Sequence, residues 1–205
     1  MGMPLRLPAF IGSKIMKGFT IAFLVFVVIA AIYEIKVESA VKKKRKREGK
    51  IFYKASYLIM AGVYILLLVS AVGEYFLIYR KPNLLLSIAG GGLYLLGHLL
   101  RNWSIRTMEE NWSLQIEIKK GQRLVKEGPY RWMRHPGYLA VILKGLGFTL
   151  IPNSYYTLLY VLLVYIPIVL VRAWFEEKIL IEHFGSSYLD YKRKVYGFLP
   201  VKGLK

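Results

Sequence analysis

Apolar residues along the chain are gathered into unbroken runs rather than the one-sided stripes of a surface helix. Five such runs, 18–35, 55–79, 84–100, 138–151 and 155–175, predict helices that cross a membrane. The fourth run is short and carries Lys144, and only Pro152-Asn153-Ser154 parts it from the fifth, which predicts a helical hairpin. No A-x-A-like cleavage site follows the first run, so it reads as a retained span and not a signal peptide. Gly90-Gly91-Gly92 in the third run has neither the preceding strand nor the acidic partner of a nucleotide fingerprint, and predicts close helix packing instead. The expected fold class is all-α and integral to the membrane, with about five transmembrane helices in a single domain, 1–205, a polar loop region at 101–137 and a C-terminal helix within the polar element 176–205.

Charge gives these spans a direction. Lys and Arg number nine between 36 and 54, eight between 101 and 137, and seven from 172 onward, whereas the alternate segments hold three before the first run and then Arg80 and Lys81. The imbalance is 24 against 5, and the positive-inside rule puts the N-terminus outside and the C-terminus in the cytoplasm. The formal charge of +18 is therefore a topology signal, and the run KKKRKREGK at 42–50 suits anionic membrane lipids. No nucleic-acid partner is expected, because no aromatic interleaving or binding motif accompanies the basic residues. The chain has no cysteine, which excludes disulfides, thiolate metal sites and lipidation.

Chemistry-bearing residues concentrate in the two polar segments after the third run. NWS occurs twice, at 102–104 and 111–113, as N-x-S sequons on the expected cytoplasmic side, where glycosylation does not occur. Ile116 and Ile118 alternate with polar neighbours, and Gly121 follows, so the stretch reads as a short hairpin or extended loop returning to the membrane through Gly128-Pro129. Arg134-His135-Pro136 then opens the fourth run, with Pro136 suited to the first turn of a helix. Two readings fit: interfacial anchoring by Arg131, Trp132 and Tyr130, or a helix N-terminus that receives an anionic group beside Arg131, Arg134 and His135.

At the end of the fifth run, Arg172 and Glu176 are four residues apart and can pair on one helix face, while Glu177 lies about 100° further round. Such charges are costly against lipid, so they are expected to point into the protein or a polar cavity; a solvated amphipathic helix is the alternative. His98, His135 and His183 have no metal-ligand spacing, and no metal site is expected.

Taken together, LVKEGPYRWMRHPGY at 124–138 and RAWFEEKILIEHFGSSYLDY at 172–191 resemble the isoprenylcysteine carboxyl methyltransferase family, with its smaller prokaryotic membrane relatives. ENWS at 110–113 is similar to the family's tryptophan-serine element. The resemblance implies transfer of a methyl group from S-adenosyl-L-methionine to a lipophilic acceptor that enters from the bilayer. It further implies that Leu124, Val125, Lys126, Gly128, Tyr130, His135, Pro136, Tyr138 and Glu177 hold the cofactor, the aromatics and Glu177 favouring its sulfonium. Arg172 and Glu176 are the implied catalytic residues, Arg172 orienting an acceptor carboxylate and Glu176 steadying the arginine fork; if the acceptor is an amine, Glu176 or Glu177 serves as the base or cation partner. One position departs from the pattern: Gly197 stands where the family often has an arginine before its final F-x-P element. Two other classes fit parts of the chain. A sterol-reductase-like enzyme using a reduced nicotinamide cofactor shares the R-H-P-x-Y motif, and a non-enzymatic membrane scaffold would use the same residues as anchors.

Overall fold

The structure is a computed structural model that describes residues 14–44, 49–78 and 80–198. The chain divides into two compact units, 1–44 and 45–205. The first is helix α1, Lys14–Lys44, whose stretch Met16–Ala40 is long and apolar enough to cross a membrane. Its Ile21, Val25, Val28 and Ile29 side chains are exposed, as expected of groups facing lipid. Of the basic run at 42–50, residues 45–48 lie outside the described residues.

The second unit begins with strand β1, Gly49–Phe52, followed by α2, Lys54–Leu77, and α3, Leu84–Met108. A 3₁₀ turn at Glu109–Asn111 leads to strand β2, Ile116–Lys119, and another at Gly128–Arg131 leads to α4, Pro136–Leu150. Helix α5, Tyr155–Tyr160, continues through a π-helical turn, Val161–Tyr165, into α6, Ile166–Phe184, and α7 covers Ser186–Lys194. The wide turn lies just ahead of Pro167, which has no N–H to give to the helix ladder, and it lets the axis continue past that missing bond.

Among the described residues four helices, Met16–Ala40, Ala55–Leu77, Leu84–Asn111 and Tyr155–Phe184, are long and apolar enough to span. The expected fourth span is present as the 15-residue α4, about 22 Å of helix, too short to cross alone. It is instead half of the expected hairpin and lies tightly on α3. A Cβ at Gly147 would stand 2.5 Å from the Gly90 oxygen and the Tyr94 nitrogen, and one at Gly97 2.6 Å from the Ala140 oxygen. Where lipid removes the hydrophobic drive between helices, such backbone approach provides the contact. Of the three consecutive glycines only Gly90 packs this way; Gly91 and Gly92 have nothing within 4 Å of a Cβ position.

The hairpin turn is fixed from inside. Asn153, at φ 62°, is buried; its side chain accepts from Asn83 N at 2.9 Å and donates to Ser87 Oγ at 2.9 Å. Glu74 near the end of α2 accepts from Thr157 N at 2.8 Å and Thr157 Oγ1 at 2.9 Å, and pairs with Arg80. These bonds close one end of the helix cluster.

At the other end two expectations change. Residue 100 does not end the third helix, which runs on to Met108 with Arg101 and Ser104 buried. The extended stretch at 116–119 does not fold back on its own neighbours. It pairs antiparallel with β1, Gly49 opposite Lys119 and Phe52 opposite Ile116. Its alternation was visible, but its partner lies more than sixty residues upstream within a stretch read as headgroup-binding charge. Buried Lys119 then ties the loop down, donating to the Trp112 carbonyl at 2.9 Å and to the Glu110 carbonyl.

Candidate functional site

The end of the cluster that gathers the start of α2, the end of α3, the start of α4 and the last turns of α6 holds two adjoining polar groups. Each is built from residues that an apolar helix carries only at its polar limit.

Arg172 is buried on α6, and three of its nitrogens are engaged. Nε donates to Tyr138 Oη at 3.2 Å, Nη1 to Ser56 Oγ at 3.1 Å and Nη2 to the Leu114 carbonyl at 2.5 Å. Tyr138 Oη in turn donates to Glu176 Oε2 at 2.5 Å. The one-turn spacing of Arg172 and Glu176 does bring them to one face, but no direct ion pair between them is found among the described residues. The hydroxyl of Tyr138, from the first turn of α4, stands between them.

The second group centres on Glu177, also buried. Its Oε1 accepts from Arg134 Nε at 2.8 Å, pairs with Arg134 Nη2 at 2.6 Å and lies 2.9 Å from His135 Nε2; Oε2 lies 2.6 Å from Lys192 Nζ. A carboxylate taken out of water is held by several charge-assisted donors, which is what a buried charge requires. Arg134 Nη1 also donates to the Val195 carbonyl at 2.5 Å. The chain after α7 is drawn back across the start of α4, where Arg134 N donates to Tyr196 O at 2.9 Å and His135 N to Gly197 O at 2.8 Å. Gly197 thus meets the site through its carbonyl, and a Cβ there would sit 3.6 Å from Arg134 Nη2.

Gly128 and Gly137 set how closely this end packs. Gly128, at φ 55°, opens the 3₁₀ turn, and a Cβ there would strike the Thr107 side chain. A Cβ at Gly137 would come within 2.8 Å of the Trp112 ring, so the indole lies directly on the first turn of α4. Tyr130 is buried with its carbonyl accepting from Tyr191 Oη at 2.5 Å. Burial pushes the phenols of Tyr130, Tyr188 and Tyr191 up, so all three stay protonated donors.

Most of the expected site residues therefore meet. Tyr138, Arg172 and Glu176 form one group, His135 and Glu177 the other, and Pro136, buried at the first helical position, joins them. Tyr130 reaches the site edge through α7. Leu124, Val125 and Lys126 lie on the approach loop, Val125 buried and Lys126 exposed with its Nζ 5.9 Å from the Tyr191 ring. His183 is exposed, and no cluster of metal-binding side chains exists among the described residues. Sequence reasoning missed Ser56, Lys192, Tyr188 and the Leu114 carbonyl. A serine at a helix start, a surface lysine and a backbone oxygen carry no local signal; only the fold brings them in.

Buried polar atoms without a hydrogen-bond partner also fall here: Trp112 Nε1, Gln115 Oε1 and Tyr188 Oη. Trp112 and Gln115 flank the Leu114 carbonyl that binds Arg172, and Tyr188 feels the charges of Glu177, Arg134 and Glu176. Native interiors rarely leave such groups unmatched, so these atoms are available to a water, an ion or a ligand.

The family model described as the Isoprenylcysteine carboxyl methyltransferase (ICMT) family matches residues 90–182. The chain is 31% identical over 144 residues to the uncharacterised protein YpbQ of Bacillus subtilis (strain 168), covering 69% of this chain and 84% of that one. It is 33% identical to the protein-S-isoprenylcysteine O-methyltransferase of Saccharomyces cerevisiae, over 60% of this chain and 52% of that enzyme. Its identity to the human enzyme of the same name is 32%, over 58% of this chain and 43% of that one. The chain thus spans about half the length of the named methyltransferases it matches. Among solved structures, that of the eukaryotic intramembrane Ras methyltransferase superposes with a TM-score of 0.50 at 27% identity, covering 76% of this chain and 56% of that one.

Proposed function

Because the chain belongs to the isoprenylcysteine carboxyl methyltransferase family, we propose that it is a membrane methyltransferase that uses S-adenosyl-L-methionine and acts on the carboxylate of a lipophilic acceptor, such as an S-prenylated cysteine or a related lipid acid. The observation that carries this reading is Arg172. Its guanidinium is held at three nitrogens and keeps two of its five N–H groups for an anion at the end of a helix that faces lipid on its outer side.

The residues present fit the cofactor. S-adenosyl-L-methionine, when bound, supplies an electrophilic methyl group on a sulfonium. The first turn of α4 offers the N–H groups of Gly137 and Tyr138, which have no partner within a helix that starts at Pro136, and these suit the cofactor's carboxylate. Tyr188 Oη and Trp112 Nε1 are buried donors in want of an acceptor. Glu177 supports this end by fixing Arg134 and His135, with Arg134, Lys192 and the His135 ring already on its carboxylate. Leu124 to Lys126, Gly128 and Tyr130 form the wall on the approach side.

A carboxylate needs no base before it is methylated, so orientation and dryness are the main tasks. Arg172 holds the acceptor charge, and Tyr138 keeps its proton shared with Glu176. That bond occupies one oxygen of Glu176, and Arg134, His135 and Lys192 occupy Glu177, so neither carboxylate is left free to act as base for an amine, which favours the acid. The excess of Lys and Arg on alternate segments supports an orientation with this end in the cytoplasm and the N-terminus outside.

Titration of the detergent-purified protein with S-adenosylhomocysteine tests the reading, with a reduced nicotinamide dinucleotide as control. Saturable binding of the first alone is expected, together with methyl transfer to an N-acylated S-prenyl cysteine. Binding of the dinucleotide alone would overturn the reading in favour of a reductase, and binding of neither would leave a scaffold.

A further inference from the structure

We propose that Ser56 is a positioning residue for Arg172, and through it a determinant of how the site holds an acidic acceptor; this rests on the role given to Arg172 above. Ser56 lies outside residues 90–182, in the first turn of α2. Tyr53, which caps that helix, sits in the left-handed region at φ 49° and ψ 53°, and Ser56 N donates to its carbonyl at 2.8 Å. The Tyr53 ring packs on Phe175 with centroids 4.6 Å apart, three residues along α6 from Arg172. The turn that carries Ser56 is therefore pinned to the helix that carries the arginine.

The second anchor arrives by the same route. Phe52, the last residue of β1, pairs with Ile116, the first of β2, so Tyr53 to Ser56 and Leu114 leave the ladder at one end. From there Ser56 Oγ accepts from Nη1 and the Leu114 carbonyl from Nη2, one acceptor for each terminal nitrogen. The strand pair thus delivers two acceptors to one guanidinium as a unit, and Tyr138 takes Nε. A long side chain held at three points has little freedom left to lose when an anion binds, which is the advantage of preorganisation. Without the Ser56 hydroxyl, Nη1 keeps one support fewer and the fork can turn away from the acceptor. A serine that merely filled space at the helix start would have no such effect.

The test is steady-state kinetics of the full chain in lipid nanodiscs, with an N-acylated S-prenyl cysteine as acceptor. For Ser56→Ala the KM for the acid should rise roughly tenfold, the worth of one hydrogen bond to a charged group, with kcat within about twofold. Affinity for S-adenosylhomocysteine should not move, and inhibition by the uncharged methyl ester of the acceptor should be unchanged. Ser56→Thr should restore the KM. Ser56→Thr and Ser56→Val, equal in shape and different in the hydroxyl, repeat the comparison should the alanine variant unfold. An unchanged KM in both hydroxyl-free variants, failure of threonine to rescue, or a parallel loss of S-adenosylhomocysteine affinity would overturn the role of Ser56. Absence of S-adenosylhomocysteine binding by the unaltered protein would instead overturn the methyltransferase reading itself.

Discussion

Replacing Glu177 by alanine removes the one carboxylate on which Arg134, His135 and Lys192 converge. The three contacts are unequal. The Lys192 side chain is 41% exposed, so its pair contributes on the order of 0–1 kcal/mol. Arg134 and His135 are 11% and 4% exposed, and their bonds to a buried charge are worth about 1.5–3 kcal/mol each. Leaving a buried cation without its partner costs about 3–5 kcal/mol, so the fold should lose roughly that much stability. Because Arg134 and His135 also hold the returning chain through Tyr196 and Gly197 at the start of α4, some of the loss must appear in ligand affinity. A share of about 1.4–2.7 kcal/mol corresponds to S-adenosylhomocysteine binding roughly 10- to 100-fold more weakly. Calorimetry in detergent reads that change, and an unfolding curve of the same sample verifies that the protein remains folded. Arg172→Ala is the contrast: it should keep S-adenosylhomocysteine affinity within about threefold and lose transfer. Equal affinity for Glu177→Ala and the parent, or equal loss in both variants, would refute the division of labour between the two polar groups.

Tyr138→Phe should slow transfer roughly tenfold or more with S-adenosylhomocysteine affinity little changed, since one hydroxyl links Arg172 to Glu176; single-turnover kinetics beside calorimetry would show it. Gly147→Val should weaken the fold by several kcal/mol, read as a lower unfolding temperature, because a Cβ there meets the α3 backbone at 2.5 Å. Asn153→Ala should destabilise by about 2 kcal/mol or more without altering the acceptor KM, because it removes bonds to Asn83 and Ser87 at the end of the helix cluster away from the site.

Helix existence was legible in the sequence because lipid demands long apolar runs, and α2, α4 and the continuous helix 155–184 start within two residues of the runs that predict them. The end of the third helix was not: residues 101–108 are polar enough to read as loop, yet they remain helical with Arg101 and Ser104 buried. The helix expected to carry Glu176 and Glu177 out of the membrane, by contrast, does run on to Phe184. The catalytic face of α6 was legible from spacing alone, since Arg172 and Glu176 are one turn apart. Their linkage through Tyr138 was not, because nothing local says which side chain from α4 stands between them. The pairing of β1 with β2 is the same kind of failure on a larger scale: strand pattern is local, whereas a partner beyond an intervening pair of helices is a property of the fold.

The two ends of the helix cluster show why the site lies where it does. At one end, Glu74, Arg80, Asn83, Ser87, Asn153 and Thr157 spend their polar atoms on one another and on nearby backbone, across three chain segments. Such a knot stiffens the hairpin and offers a ligand little, since any new bond would have to replace one already made. At the other end the charges are just as deeply set, but Arg172 keeps N–H groups to spare, the first turn of α4 is open at its N–H groups, and Trp112, Gln115 and Tyr188 hold polar atoms with no partner. Equal burial with unequal satisfaction separates a structural clamp from a binding site. Neutralising the clamp should therefore change the unfolding temperature alone, while each change at the open end should be felt in affinity or turnover.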